Sequence, residues 1–102
     1  IQNTPSDGTV YVDDGAKSAL LNHKSLLPSG IKKVEGIFES GSVVDISDES
    51  GEVFMKAVPY FNSREIELLI GHKSKDIHSL IGEGRKEVIF RPEDTSELDE
   101  EL

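Results

Sequence analysis

Four lysines in a stretch without acids are the residues most able to do chemistry in this sequence. The chain carries formal net charge -9, yet from Ala16 to Val34 it has no Asp or Glu, while Lys17, Lys24, Lys32 and Lys33 fall inside. The stretch turns on "LLPSG", where Pro28 forbids a continuing helix and Gly30 leaves backbone without a side chain. Cations beside accessible backbone are what phosphate recognition needs, because charge neutralises the anion and bare backbone lets it come close. Lys56, Arg64, Arg85, Lys86 and Arg91 could add to such a face if the fold gathers them. Two features oppose this reading. A net-negative chain repels polyanions at long range. Only Tyr11, Phe38, Phe54, Tyr60, Phe61 and Phe90 are available for stacking, and several of them must be core. The competing reading is a solvated lysine face with no ligand.

Catalytic and metal chemistry are thinly represented. His23, His72 and His78 are the only histidines, and the last two are six residues apart, which turns them to different sides of a helix. No metal-ligand spacing appears. With no Cys, neither a disulfide framework nor a thiolate zinc site can form, which fits a reducing, cytoplasmic setting. Asp13 and Asp14 read as a helix cap rather than a catalytic carboxylate pair. There is no G-x-S-x-G, no phosphate-binding loop and no dinucleotide fingerprint after a strand, and "GEGR" (82–85) reads as a loop. The chain is therefore expected to be catalytically silent, with no cofactor or metal of its own. No apolar run is long enough to span a bilayer and no signal peptide is evident, so no membrane partner is expected.

The elements that must position these residues follow from periodicity and punctuation. "TVYV" (Thr9 to Val12) reads as a strand. Ala16, Ala19 and Leu20 lie on one face of a helix that Asp13 or Asp14 caps and "NHK" ends. Three strands are expected at Ile31 to Phe38, Val43 to Ser47 and Glu52 to Val58, separated by the turns "ESGS" and "DESG". "IELLIG" (66–71) and "IHSLIG" (77–82) repeat I-x-x-L-I-G, each a short helix with one apolar face. Asn62 with Glu65 has the form of a capping box for the first, and Ser74 is a candidate cap for the second. A last strand is expected from Glu87 to Arg91, before Pro92. The sum is a β-rich α+β domain with a partly closed sheet and short flanking helices.

The ends read differently. Residues 1–8 are polar and read as a linker from an upstream domain. Residues 93–102, "EDTSELDEEL", hold six of the twenty acids and no base, and read as a disordered acidic tail.

Several motifs occur in an order that resembles a known family: D-x-G-A at Asp13, S-L-L-P-x-G-I at Ser25, V-x-G-x-F at Val34 and G-x-V-V-x-I at Gly41. "PYFNSREIELLIGHKSKDIHSLIG" and "EVIFRPED" continue the match to about Asp94. Together they resemble the PUA domain at the C-terminal end of bacterial glutamate 5-kinases. The sequence departs from that pattern at "MKA" (55–57), at Phe90 and at "RPEDTSEL" (91–98). The resemblance implies a PUA-like mixed pseudo-barrel over residues 9–92. It implies a preceding kinase domain, outside this chain, that phosphorylates glutamate with ATP and magnesium in proline biosynthesis, in a parent that is a homo-oligomer. This chain would then be a regulatory or assembly domain whose partner is that kinase domain. The alternative it implies is an RNA-binding module using the first helix, the next loop and strand, and the last strand. That face maps to Gly15, Ala16, Lys24, Ser25, Pro28, Gly30, Lys32, Lys33 and Arg91.

Overall fold

The computed structural model describes residues 5–97. The chain runs β1 (Gly8–Val12), α1 (Asp14–Leu21), β2 (Ile31–Gly36), β3 (Val44–Ser47), β4 (Val53–Ala57), α2 (Ser63–Leu69), α3 (Ile77–Leu80) and β5 (Thr95–Glu97). Single 3-10 turns occupy Pro28–Gly30, Ser74–Asp76 and Pro92–Asp94.

The first helix shows how local sequence sets local structure. The Asp13 carboxylate accepts from the Ala16 N–H at 2.7 Å, filling a free donor of the first turn. At the other end, the Lys24 N–H donates to Ala19 O and the His23 N–H to Leu20 O, each at 3.1 Å. This is the Schellman arrangement, and His23 takes the left-handed position (φ 63°) that glycine usually fills. The second helix has the expected capping box. The Glu65 N–H donates to the Asn62 side chain at 2.8 Å, and the Asn62 N–H to the Glu65 carboxylate at 3.0 Å. Ser74 does not cap α3. It opens a 3-10 turn instead, where Asp76 accepts from the Lys73 N–H at 3.3 Å.

The sheet order is β2-β1-β3-β4-β5, with β1 and β3 parallel and the other neighbours antiparallel. Alternation sends Val10 and Val12 of β1, Val44 and Ile46 of β3, and Met55 and Ala57 of β4 into one core. Leu20, Ile66, Leu69 and Ile77 meet them from the helices. Each fully buried aliphatic side chain contributes about 1.5–3 kcal/mol. The sheet does not close, since β2 and β5 do not pair. Loop backbone links its two sides: the Leu26 N–H donates to Phe90 O, the Ile89 N–H to Leu26 O, and the Tyr60 N–H to Ile89 O.

Two expectations at the C-terminal end need correction. Glu87 to Arg91 is not a strand, because only Phe90 makes a bridge, to Leu26. Ile89 and Phe90 are both buried, so the segment lacks the alternation of a regular strand. The final strand is instead β5, inside the acidic run, pairing Thr95 with Ala57 and Glu97 with Met55. Residues 93–97 thus belong to the fold, and the rest of the expected tail, 98–102, lies outside the described residues. Likewise, residues 5–8 are not a free linker. The Asp7 N–H donates to Val43 O, the Ser6 hydroxyl to Asp45, and Gly8 pairs with Gly36. Residues 1–4 lie outside the described residues.

Candidate nucleic-acid interface

The nine expected residues do not form one surface. Gly15, Ala16, Ser25 and Gly30 line a cleft of about 290 Å³ between α1 and the 25–30 loop, together with Asp13 and Leu27. Close packing builds this cleft: a Cβ on Gly30 would stand 2.6 Å from the Ala16 Cβ. The Asp13 N–H also donates to Gly30 O at 3.0 Å, fixing helix to loop. Pro28 does not face the cleft but is buried in the turn beneath it. Lys24 is exposed at the end of α1 and is not part of the lining. Arg91 is exposed one residue beyond Phe90, whose carbonyl holds the Leu26 N–H, so it stands beside the Ser25–Leu26 wall.

Lys32 and Lys33 line a second hollow of about 280 Å³ with Tyr11 and Glu49. A β-bulge brings them there. Tyr11 pairs with Lys33 and Val12 with Ile31, so Lys32 is the extra residue of β2. A bulge breaks strict alternation, and two consecutive lysines reach one exposed face. β2 is also an edge strand. Lysines and a bulge on an edge strand discourage pairing with another sheet. That gives the lysine pair a structural reason independent of any ligand.

The electrostatics divide the lysine strip further. Lys17 Nζ lies 2.9 Å from Asp48 and 5.2 Å from the centre of the Phe54 ring. The Asp48 hydrogen bond raises its pKa. Lys33 Nζ lies 3.0 Å from Glu35 and 5.1 Å from the centre of the Tyr11 ring. The Tyr11 hydroxyl donates to the same Glu35 at 2.7 Å, and this bond, with Lys33, holds the Glu35 carboxyl below its ordinary value. Two of the four lysines are therefore paired with acids lying outside the strip, Lys33 in a solvent-exposed pair. Lys24, Lys32 and Arg91 have no ion-pair partner among the described residues. The charged group on the wall of the first cleft is Asp13, which repels an anion there.

Sequence reasoning missed Glu35 and Asp48, and named Tyr11 only as an aromatic available for stacking. The position of Tyr11 was available as the outward residue of "TVYV", but its register against Lys33 was not. Asp48 lies 31 residues from Lys17, and no local signal joins them. Elsewhere two of the three histidines sit beside different acids: His72 Nδ1 is 3.5 Å from Asp76 and His78 Nε2 is 3.4 Å from Glu87. Among the described residues no group of three His, Cys, Asp or Glu could hold a metal ion. No helix there is long and apolar enough to cross a membrane.

The model of the PUA domain family matches residues 8–81. The chain belongs to the PUA domain family. Its similar proteins include the glutamate 5-kinase of Haemophilus influenzae (strain 86-028NP), 47% identical over 79 residues, covering 76% of this chain and 22% of that protein. The glutamate 5-kinase of Rhodospirillum rubrum is 44% identical over 87 residues, covering 84% and 23%. The chain thus spans under a quarter of the length of these relatives. Among solved structures, a PUA domain from Aeropyrum pernix K1, in a tartrate complex, matches with TM-score 0.60 and 30% identity over 83% of this chain and 41% of its own. A chain of an archaeal box H/ACA sRNP complex matches with TM-score 0.55 and 20% identity over 58% of this chain and 19% of its own, a likeness of fold alone. The open mixed sheet and short helices described above are a PUA fold. The family match ends at Ile81, so β5 lies beyond it.

Proposed function

We propose that this PUA domain is the non-catalytic module of a glutamate 5-kinase. Phosphorylation of glutamate with ATP and magnesium belongs to a kinase domain outside this chain, and the PUA domain serves its regulation or assembly. The observation that carries this reading is the 42–47% identity to glutamate 5-kinases over most of the chain. Local chemistry agrees with it. The Asp13 carboxylate is occupied in capping α1, and Asp48 in accepting from Ser50, Glu52 and Lys17. The proposed parent is cytoplasmic, where ATP and glutamate are both available, and assembles as a homo-oligomer. The test is glutamate-dependent ATP turnover by the parent polypeptide and by the 102-residue chain. Turnover in the parent and none in the chain is expected. A parent without an amino-acid-kinase domain would overturn the reading.

A second reading, RNA binding, rests on Lys24, Lys32 and Arg91, the cations of the expected face without acid partners. Phosphate contacts release counterions, so such binding weakens steeply with salt. Titration with a structured RNA at low salt, followed by amide chemical shifts, separates the two readings. Shifts at Lys24, Lys32 and Arg91 that vanish as salt rises would support RNA binding. Unmoved amides would leave the accessory role alone.

A further inference from the structure

Ile37 is the most conspicuous surface residue of this domain. Its side chain is 90% exposed, against 40–55% for the other exposed large hydrophobic residues, Leu21, Leu27, Leu68 and Leu80. It is held firmly from both sides. Gly36 has φ 89°, and a Cβ there would come 2.9 Å from both Asp7 O and the Gly8 Cα, so β1 locks its backbone. Phe38 is buried. Its N–H donates to the Ser63 hydroxyl at 3.2 Å, and its carbonyl accepts from the Ser63 N–H at 3.0 Å. Ile37 is therefore presented on a rigid bridge between β1 and the start of α2. With the backbone fixed on both sides, only the rotamers of the Ile37 side chain remain to be ordered on docking, which lowers the entropic cost for an interface anchor.

The surroundings suit an interface. Ile37, Glu39, Asn62, Ser63 and Arg64 line a hollow of about 170 Å³. Arg64 and Glu39 are exposed and have no ion-pair partner among the described residues. The polypeptide enters the fold at this end, through Asp7 and through Gly8, which pairs with Gly36. The glutamate 5-kinase relatives extend for more than three quarters of their length beyond the part matched here. We infer that Ile37, flanked by Arg64 and Glu39, seats this PUA domain against the part of the parent polypeptide that precedes it. The complementary surface is an apolar socket with a carboxylate facing Arg64 and a cation facing Glu39. This rests on the reading that the chain is one module of a longer kinase.

The test uses the absence of cysteine in the chain. Ile37→Cys and, as a control on the exposed β3–β4 turn, Glu49→Cys are made in the 102-residue chain and in the parent. Each is labelled with a maleimide and read by mass spectrometry of the peptide concerned. Labelling at residue 37 should be at least about tenfold slower in the parent than in the chain, a ratio equal to one decade in the docking equilibrium. Labelling at residue 49 should match in both. Equal rates at residue 37 would overturn the inference. So would slow labelling in the chain alone that recovers on dilution, which would put a second copy on Ile37. Glutamate-dependent ATP turnover of the same parent sample shows separately whether the kinase reading holds. A second variant guards against cysteine preserving or disturbing the contact. Ile37→Asp should leave the melting temperature of the 102-residue chain unchanged. In the parent it should raise amide exchange at Asn62 to Arg64 to the rate of the isolated chain, and unchanged exchange there would contradict the docking.

Discussion

At the scale of single residues, long-range partners decide behaviour. Asp48 is nearly buried and accepts from the Ser50 hydroxyl at 2.6 Å, from Lys17 at 2.9 Å, and from the Ser50 and Glu52 N–H groups. The Ser50 hydroxyl and then Lys17 hold its carboxyl well below the usual carboxylate range. A carboxyl depressed in the folded state adds stability above its unfolded pKa of about 3.9 and loses it as pH falls through and below that value. Melting temperatures of Asp48→Asn should therefore start lower than those of the wild type at neutral pH. They should also fall less between about pH 5 and about pH 3 than the wild-type values do. Parallel acid limbs for the two proteins would remove Asp48 from the account. Gly30 makes a different prediction. Its missing Cβ lets Ala16 approach, so Gly30→Val should overpack the helix–loop contact and cost about 1–3 kcal/mol in denaturant titration. His23 stands at a left-handed position where a Cβ is penalised. His23→Gly should stabilise the domain by up to about 1 kcal/mol, seen as a raised urea midpoint with unchanged slope.

At the scale of elements, two of the three helix caps were legible, Ser74 being the exception, and pairings were not. Asp13 and Asn62 announce the starts of α1 and α2 because a cap acts within four residues of its own position. The second helix also receives a clamp from far away. Arg85 donates to Glu65 through two nitrogens, at 2.9 and 3.2 Å, and its guanidinium lies 4.8 Å from the centre of the Phe61 ring. Asn62→Ala should cost about 1 kcal/mol, the usual worth of such a cap, measured by thermal or urea unfolding. No loss would mean that Arg85 alone holds the helix start. The last strand was misplaced for a physical reason. "TSE" has no apolar alternation and sits within a run of acids, so only its contact with β4 makes it a strand. That contact is fixed by the Val58 N–H to Asp94 O bond and by the Tyr60 hydroxyl on Asp94 at 2.5 Å, both made by residues distant in sequence. The bulge at Lys32 was equally hidden, since it exists only as a mismatch between two strands.

At the scale of the whole molecule, a basic strip in the sequence is not a basic patch on the surface. The fold pairs Lys17 with Asp48 and Lys33 with Glu35, puts Gly15, Ala16, Ser25 and Gly30 in a cleft and Lys32 on an edge strand, and leaves Lys24, Pro28 and Arg91 outside both. The motifs around Pro28 and Gly30 were legible because they are local, and they build the packing of Gly30 against Ala16 and Asp13 in this chain. The charge distribution was not, because it depends on carboxylates brought from other elements. Outward features include Lys24, Lys32, Arg64 and Arg91, without ion-pair partners among the described residues, and Ile37 near the point of chain entry. This arrangement favours an accessory module over a nucleic-acid reader. The most direct measurement is glutamate-dependent ATP turnover by the parent after removal of residues 8–97, with a melting curve to show that the remainder is folded. Turnover should survive while its regulation or the oligomeric state changes. Abolished turnover in a folded remainder would show that this domain carries part of the chemistry and is no accessory module.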